Sequence, residues 1–112
     1  MSEAVFHRLD HAAVVAELEA FVRDELACRP EVRRVVLIGS LARGDWSARS
    51  DADLVVVVDD EPGAERADYA PHRRVGVPID IFVWTAKACT EWSARFRAEV
   101  EAGRELYAAS RL

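Results

Sequence analysis

The stretch Leu54-Val55-Val56-Val57-Val58 is apolar at every position, with Asp53 before it and Asp59-Asp60 after it. Side chains alternate across a strand, so a run that is apolar at both parities has to be covered on both faces. This predicts an interior strand, from about Ala52 to Val58, near the centre of a sheet. With 112 residues the chain can bury one such core, and a single domain over 1–112 is expected.

The rest of the chain supplies alternating elements and no repeat. Val14, Val15, Leu18, Phe21, Val22 and Leu26 fall at helical three-four spacing, which predicts an amphipathic helix from about Asp10 to Cys28, closed by Pro30. A short apolar run from about Arg33 to Ile38, ending at Gly39, suits a buried strand, and Ser40 to Asp45 can make a helical turn. The polar segment from Asp59 to Arg74 reads as a surface loop, with a helical turn around Ala64 to Tyr69. A third apolar run, from about Val75 to Trp84, contains Pro78, which has no N–H for a ladder and so marks an edge strand or a strand beginning. A helix is predicted from Thr85, as N-cap, to Val100, with Ala88, Trp92, Phe96 and Val100 on one face and Gly103 as its stop. Arg104 to Ala108 can add a short strand or pack as a terminal extension. The expected class is α/β (α+β), a small sheet with flanking helices.

Composition narrows the function. A net charge of −5 disfavours nucleic acid as a partner, because holding a phosphate backbone normally takes a basic face. No basic leader with an apolar core opens the chain, and no run approaches the roughly 20 apolar residues that cross a bilayer. A cytoplasmic protein without a membrane partner is expected. The two cysteines, Cys28 and Cys89, read as buried free thiols. The pairs Arg33-Arg34 and Arg73-Arg74 read as solvated strand ends, and His7, His11 and His72 as solvated side chains. Trp84 and Trp92 follow core periodicities, whereas Trp46 could cover a loop or stack on a base. Asn and Gln are absent, so a base would be recognised by backbone groups, arginines or stacking.

Asp51 and Asp53 stand two apart at the mouth of the central strand, and therefore project from the same side, within reach of one cation. Hard carboxylate ligands suit Mg²⁺ or Mn²⁺, while solvation of a strand end is the plainer alternative. Gly39 allows close backbone approach, and Ser40 offers a hydroxyl and an amide at the start of a helical turn, a suitable place for a phosphate oxygen. Together with Arg43, these residues combine a phosphate cradle, a cation and paired carboxylates in one short segment.

Gly39-Ser40-Leu41-Ala42-Arg43-Gly44 and Ser50-Asp51-Ala52-Asp53-Leu54 resemble the G-S-x-A-R-G and S-D-x-D-L halves of the signature of minimal nucleotidyltransferases, in the DNA polymerase beta-like superfamily. The resemblance runs over nearly the whole chain. It implies the polymerase beta-like fold with a mixed sheet, two Mg²⁺ ions held by Asp51, Asp53 and Asp80, and ATP or another nucleoside triphosphate as substrate. Asp80, in "VPIDIFVWT", would be the third carboxylate, as ligand or as proton acceptor. Gly39, Ser40 and Ser50 would hold phosphates, and Arg43 would either touch substrate or order the loop. Small members of this kind resemble the antitoxins that transfer AMP to a HEPN-domain toxin, so a protein acceptor is implied. A non-catalytic module that covers its partner, and a nucleotide-sensing domain without transfer, remain as alternatives.

Overall fold

The computed structural model describes residues 11–44 and 51–109. Helix α1, His11–Phe21, runs on into a single π-helical turn at Val22–Leu26. All six apolar positions expected on its inner stripe are buried. The π turn is closed by the Ala27 N–H bonding to the Val22 carbonyl at 2.7 Å, and Val22 and Leu26 stay in the core beside Phe21. After the turn come strand β1, Val32–Ile38, a one-turn helix α2, Ser40–Arg43, and strand β2, Ala52–Val58. A 3-10 turn at Ala64–Arg66 precedes strand β3, Ile79–Thr85. A second 3-10 turn, Ala88–Glu91, leads to helix α3, Ala94–Glu101, and strand β4, Arg104–Ala108, ends the described chain.

The strands form one mixed sheet in the order β3-β2-β1-β4. β1 is antiparallel to β2 and to β4, while β2 and β3 are parallel. The expected interior position of β2 is what the sheet shows, with Leu54, Val55, Val56 and Val58 fully enclosed. Parallel pairing demands a long return, and the segment between β2 and β3 makes it across the α1 side, where Ala64, Tyr69 and Val77 join the core. Leu37, Leu54 and Val56 pack under α1 with Leu18 and Phe21. The opposite face carries Val36, Ile38, Val55 and Val57, covered by Val100 of α3 and by half-buried Trp84, Trp92 and Phe96.

Several expectations shift. β3 begins at Ile79 rather than Val75: Pro78 has no N–H, though its carbonyl accepts from the Ala52 N–H at 2.8 Å and opens the ladder. Thr85 ends β3 and does not cap a long helix. Its hydroxyl instead accepts the Ala88 N–H at 3.1 Å and caps the 3-10 turn, and Ser93 caps α3 by accepting the Phe96 N–H at 3.1 Å. Gly103 follows α3 because β4 must pass close to β1: a Cβ there would lie 2.6 Å from the Leu37 carbonyl oxygen. Both cysteines are free, but Cys28 is exposed and Cys89 half-buried, where two buried thiols were expected. No helix among the described residues is long and apolar enough to cross a membrane.

Candidate active site

The site is built where β1, β2 and β3 present one end of the face under α3. In the parallel pairing, Asp53 of β2 stands directly beside Asp80 of β3, and across the other ladder Asp53 faces Ile38 of β1. Asp53 shares its side of the sheet with Val55 and Val57, and Asp80 with Trp84, so both carboxylates rise on the α3 face. Asp51, exposed at the residue before β2, adds its charge to theirs. Burial, and then the charges of Asp80, Asp51 and Glu99, hold the Asp53 carboxyl above the ordinary value of 3.8.

The turn after β1 is shaped around that carboxylate. Gly39 has φ +82°, a left-handed conformation that disfavours side chains, and Asp53 Oδ2 lies 3.0 Å from where a Cβ would be. A side chain at residue 39 would therefore meet the carboxylate of Asp53, which places the two halves of the glycine–aspartate pattern side by side in space. Ser40 starts α2 at this contact. Gly44, with φ +81°, ends α2 in a left-handed cap.

Two side chains steady the turn from outside the pattern. His11 donates from Nε2 to the Leu41 carbonyl at 2.7 Å, so it is an anchor for α2, not the solvated side chain expected. Arg43 pairs with Glu99 of α3 at 3.6 Å. Glu99 is the acid that linear reading missed: on a short helix it looks like a solvated charge, and only the packing of α3 places it near Asp53. Arg43 and Glu99 also border a cleft of about 470 Å³ with Ser93, Arg95 and Phe96. The cleft offers two guanidinium groups, an aromatic edge and a carboxylate.

Of the expected site residues, the structure brings Gly39, Asp53 and Asp80 together, with Ser40, Arg43 and Asp51 around them. Ser50 and Trp46 lie outside the described residues, as does His7. Among the described residues, no group of three acids, histidines or cysteines closes around a point where a metal ion would sit. The donor chemistry nevertheless suits a hard cation: adjacent carboxylates, one with its pKa raised by burial and by its like-charged neighbours, are what a divalent ion neutralises.

The family model of the nucleotidyltransferase domain matches residues 15–104, from inside α1 to the first residue of β4. The chain belongs to that nucleotidyltransferase family. Nucleotidyltransferase domains use nucleoside triphosphates and divalent metals. The fold of this nucleotidyltransferase is similar to a crystal structure from Sulfolobus solfataricus provisionally described as a nucleotidyltransferase, with a TM-score of 0.58 at 15% identity, over 96% of this chain and 90% of that one. No curated protein matches the chain at a significant level.

Proposed function

We propose that this nucleotidyltransferase moves AMP from ATP to a hydroxyl of a partner protein, as the antitoxin of a HEPN-domain toxin. The observation that carries the transfer chemistry is the closeness of the Asp53 carboxylate to Gly39, with Oδ2 3.0 Å from where a Cβ would lie, beside the cross-strand pair Asp53–Asp80. It sets the turn that would bind phosphate against the paired carboxylates.

Asp51, Asp53 and Asp80 would hold Mg²⁺, which when bound neutralises phosphate charge and lowers the pKa of an acceptor hydroxyl. Gly39, through its backbone, and Ser40 orient the β and γ phosphates, with Ser50 as a further phosphate contact. The acceptor oxygen forms a bond to the α-phosphorus as the bond to the bridging oxygen breaks, and pyrophosphate leaves with that electron pair. The hydroxyl proton passes to Asp80 or to water. Asp80 suits this role because β3 is the edge strand and its carboxyl is exposed. The pairing of Arg43 with Glu99 supports loop ordering as the role of Arg43. The cleft beside them suits a nucleotide, with Arg95 toward phosphate and Phe96 toward the base.

Protein acceptor and antitoxin role rest on the resemblance of Gly39–Gly44 and Ser50–Leu54 to the signature of minimal nucleotidyltransferases. A second reading keeps the fold and drops the chemistry, the chain neutralising its partner by covering it. Phe82 favours a docking surface here: it is 42% exposed, two residues from Asp80 on the same face. Intact mass spectrometry of the chain co-expressed with a HEPN-type partner separates the two. Adenylyl mass on the partner with wild type, and none with Asp51→Ala although the pair still associates, is the expected result. A neutralised partner of unchanged mass in both cases selects the covering module.

A further inference from the structure

At the far end of the same sheet face, away from the carboxylates, a cleft of about 520 Å³ is lined by Arg33, Arg34, Arg97, Val57, Cys89 and Trp92. Val57 is four residues beyond Asp53 along β2, about 13 Å at ~3.3 Å per residue. The chain carries a net charge of −5, yet this lining holds three arginines and no acid. Arg33 and Arg34 pair at the rim with Asp59 at 3.3 Å and Glu105 at 2.7 Å. These are partly exposed pairs, which contribute little and exchange readily for another carboxylate. Arg97 donates to the Cys89 carbonyl at 3.1 Å, and its guanidinium sits 5.8 Å above the Trp92 ring.

We propose that this cleft docks an acidic peptide segment that also carries apolar side chains, supplied by a partner protein. The arginines match carboxylates, and Val57, Trp92 and the half-buried Cys89 provide an apolar floor. A nucleic acid fits less well. Trp92 meets Trp84 and Phe96 edge-to-face at centroid distances of 6.0 and 5.2 Å, and Arg97 sits over its ring, so a base would have to displace Arg97 to stack there. The acidic remainder of the surface would repel a phosphate backbone running past the cleft. The site goes beyond the transfer reaction: it binds whether or not the docked protein is the acceptor, and needs no nucleotide.

The test is fluorescence anisotropy with a labelled peptide of alternating Glu and Leu, a Lys/Leu peptide and an oligothymidine, without nucleotide or metal. The Glu/Leu peptide is expected to bind wild type, to weaken as salt rises, and to lose about tenfold or more in affinity with Arg97→Glu and with Arg34→Gln, roughly one charged contact each. The Lys/Leu peptide is expected not to bind. In a Cys28→Ser background, the bound Glu/Leu peptide should also slow alkylation of Cys89, and Arg34→Gln serves if Arg97→Glu melts early. Affinity that both variants leave unchanged, preference for oligothymidine, or no binding of the Glu/Leu peptide overturns the proposal. Transfer activity is not read in any of these measurements, so their failure leaves the active-site reading standing.

Discussion

The two faces of the sheet are built to different standards. Under α1, Val14, Leu18 and Phe21 reach zero exposure against Leu37, Leu54 and Val56, a close-packed aliphatic layer. Under α3, the enclosed side chains are Val36, Ile38, Val55, Val57 and Val100, and the aromatic cover of Trp84, Trp92 and Phe96 is only half-buried. Asp53 and Asp80 stand on this second, thinner side. Charged groups that must meet solvent, phosphate and cations cannot sit under a sealed layer, since desolvating an unpaired carboxylate costs several kcal/mol. One face holds the fold, and the other leaves the carboxylates of the proposed site open to solvent.

That division predicts where substitutions act. The largest effect on stability is expected under α1: Phe21→Ala should cost about 3–5 kcal/mol in urea unfolding. Phe96→Ala under α3 should cost about half as much, because part of its ring already meets water. Equal losses would remove the distinction between the faces. Gly39→Ala comes next, at about 1–3 kcal/mol for a side chain at positive φ, and more in wild type than in an Asp53→Ala background, where the clash with the carboxylate is gone. If the two backgrounds give the same cost, the close contact between Gly39 and Asp53 is not a constraint.

Tyr69 sharpens the comparison from the α1 side. Its hydroxyl donates to the Ala64 carbonyl at 2.7 Å and lies 3.1 Å from Glu31 Oε2, and burial together with Glu31 pushes its pKa up to about 12. Tyr69→Phe should cost about 1–2 kcal/mol. The folded chain keeps this proton where the unfolded chain loses it, so wild-type stability should fall as pH rises from 10 toward about 12. In Tyr69→Phe that part of the decline should be missing from the melting curves.

Asp53 behaves in the opposite sense to a stabilising ion pair. Its folded pKa lies above 3.8, so the folded state binds the proton more tightly and the metal-free protein loses stability as pH rises from 3.8 through the raised value. Asp53→Asn should therefore melt slightly higher than wild type at neutral pH without metal, while losing transfer. Melting below wild type would show that the carboxylate stabilises the turn rather than straining it. Smallest of all is Glu99→Gln, within about 1 kcal/mol because its pair with Arg43 is exposed.

How much of this was legible in the sequence follows from which forces are local. The six buried positions of α1 and its π turn, and the unbroken apolar run of β2, announce themselves, because burial on one stripe or on both faces leaves a periodic mark. The glycine–aspartate pattern marked much of the candidate site for the same reason: Gly39, Asp51 and Asp53 are spaced by local geometry. The start of α3 was missed because Trp92, Phe96 and Val100 keep helical spacing through a segment that Thr85 and Ser93 cap as two separate pieces. Glu99 and His11 were missed because nothing local marks them. Their roles arise when α3 and α1 pack against the loop after β1, a long-range event without a periodic signature.

In the proposed reaction the acidic end of the α3 face, and not its arginine-lined end, receives the metal–nucleotide complex. Paramagnetic broadening by Mn²⁺ added with ATP, read on the backbone amides of isotope-labelled protein, tests it most directly. The Gly39, Ser40, Asp53 and Asp80 signals should be lost in wild type at lower Mn²⁺ than those of Cys89 and Arg97, with little broadening at any of these positions in Asp53→Asn. Broadening that spares Asp53 and Asp80, or that persists unchanged in Asp53→Asn, contradicts it.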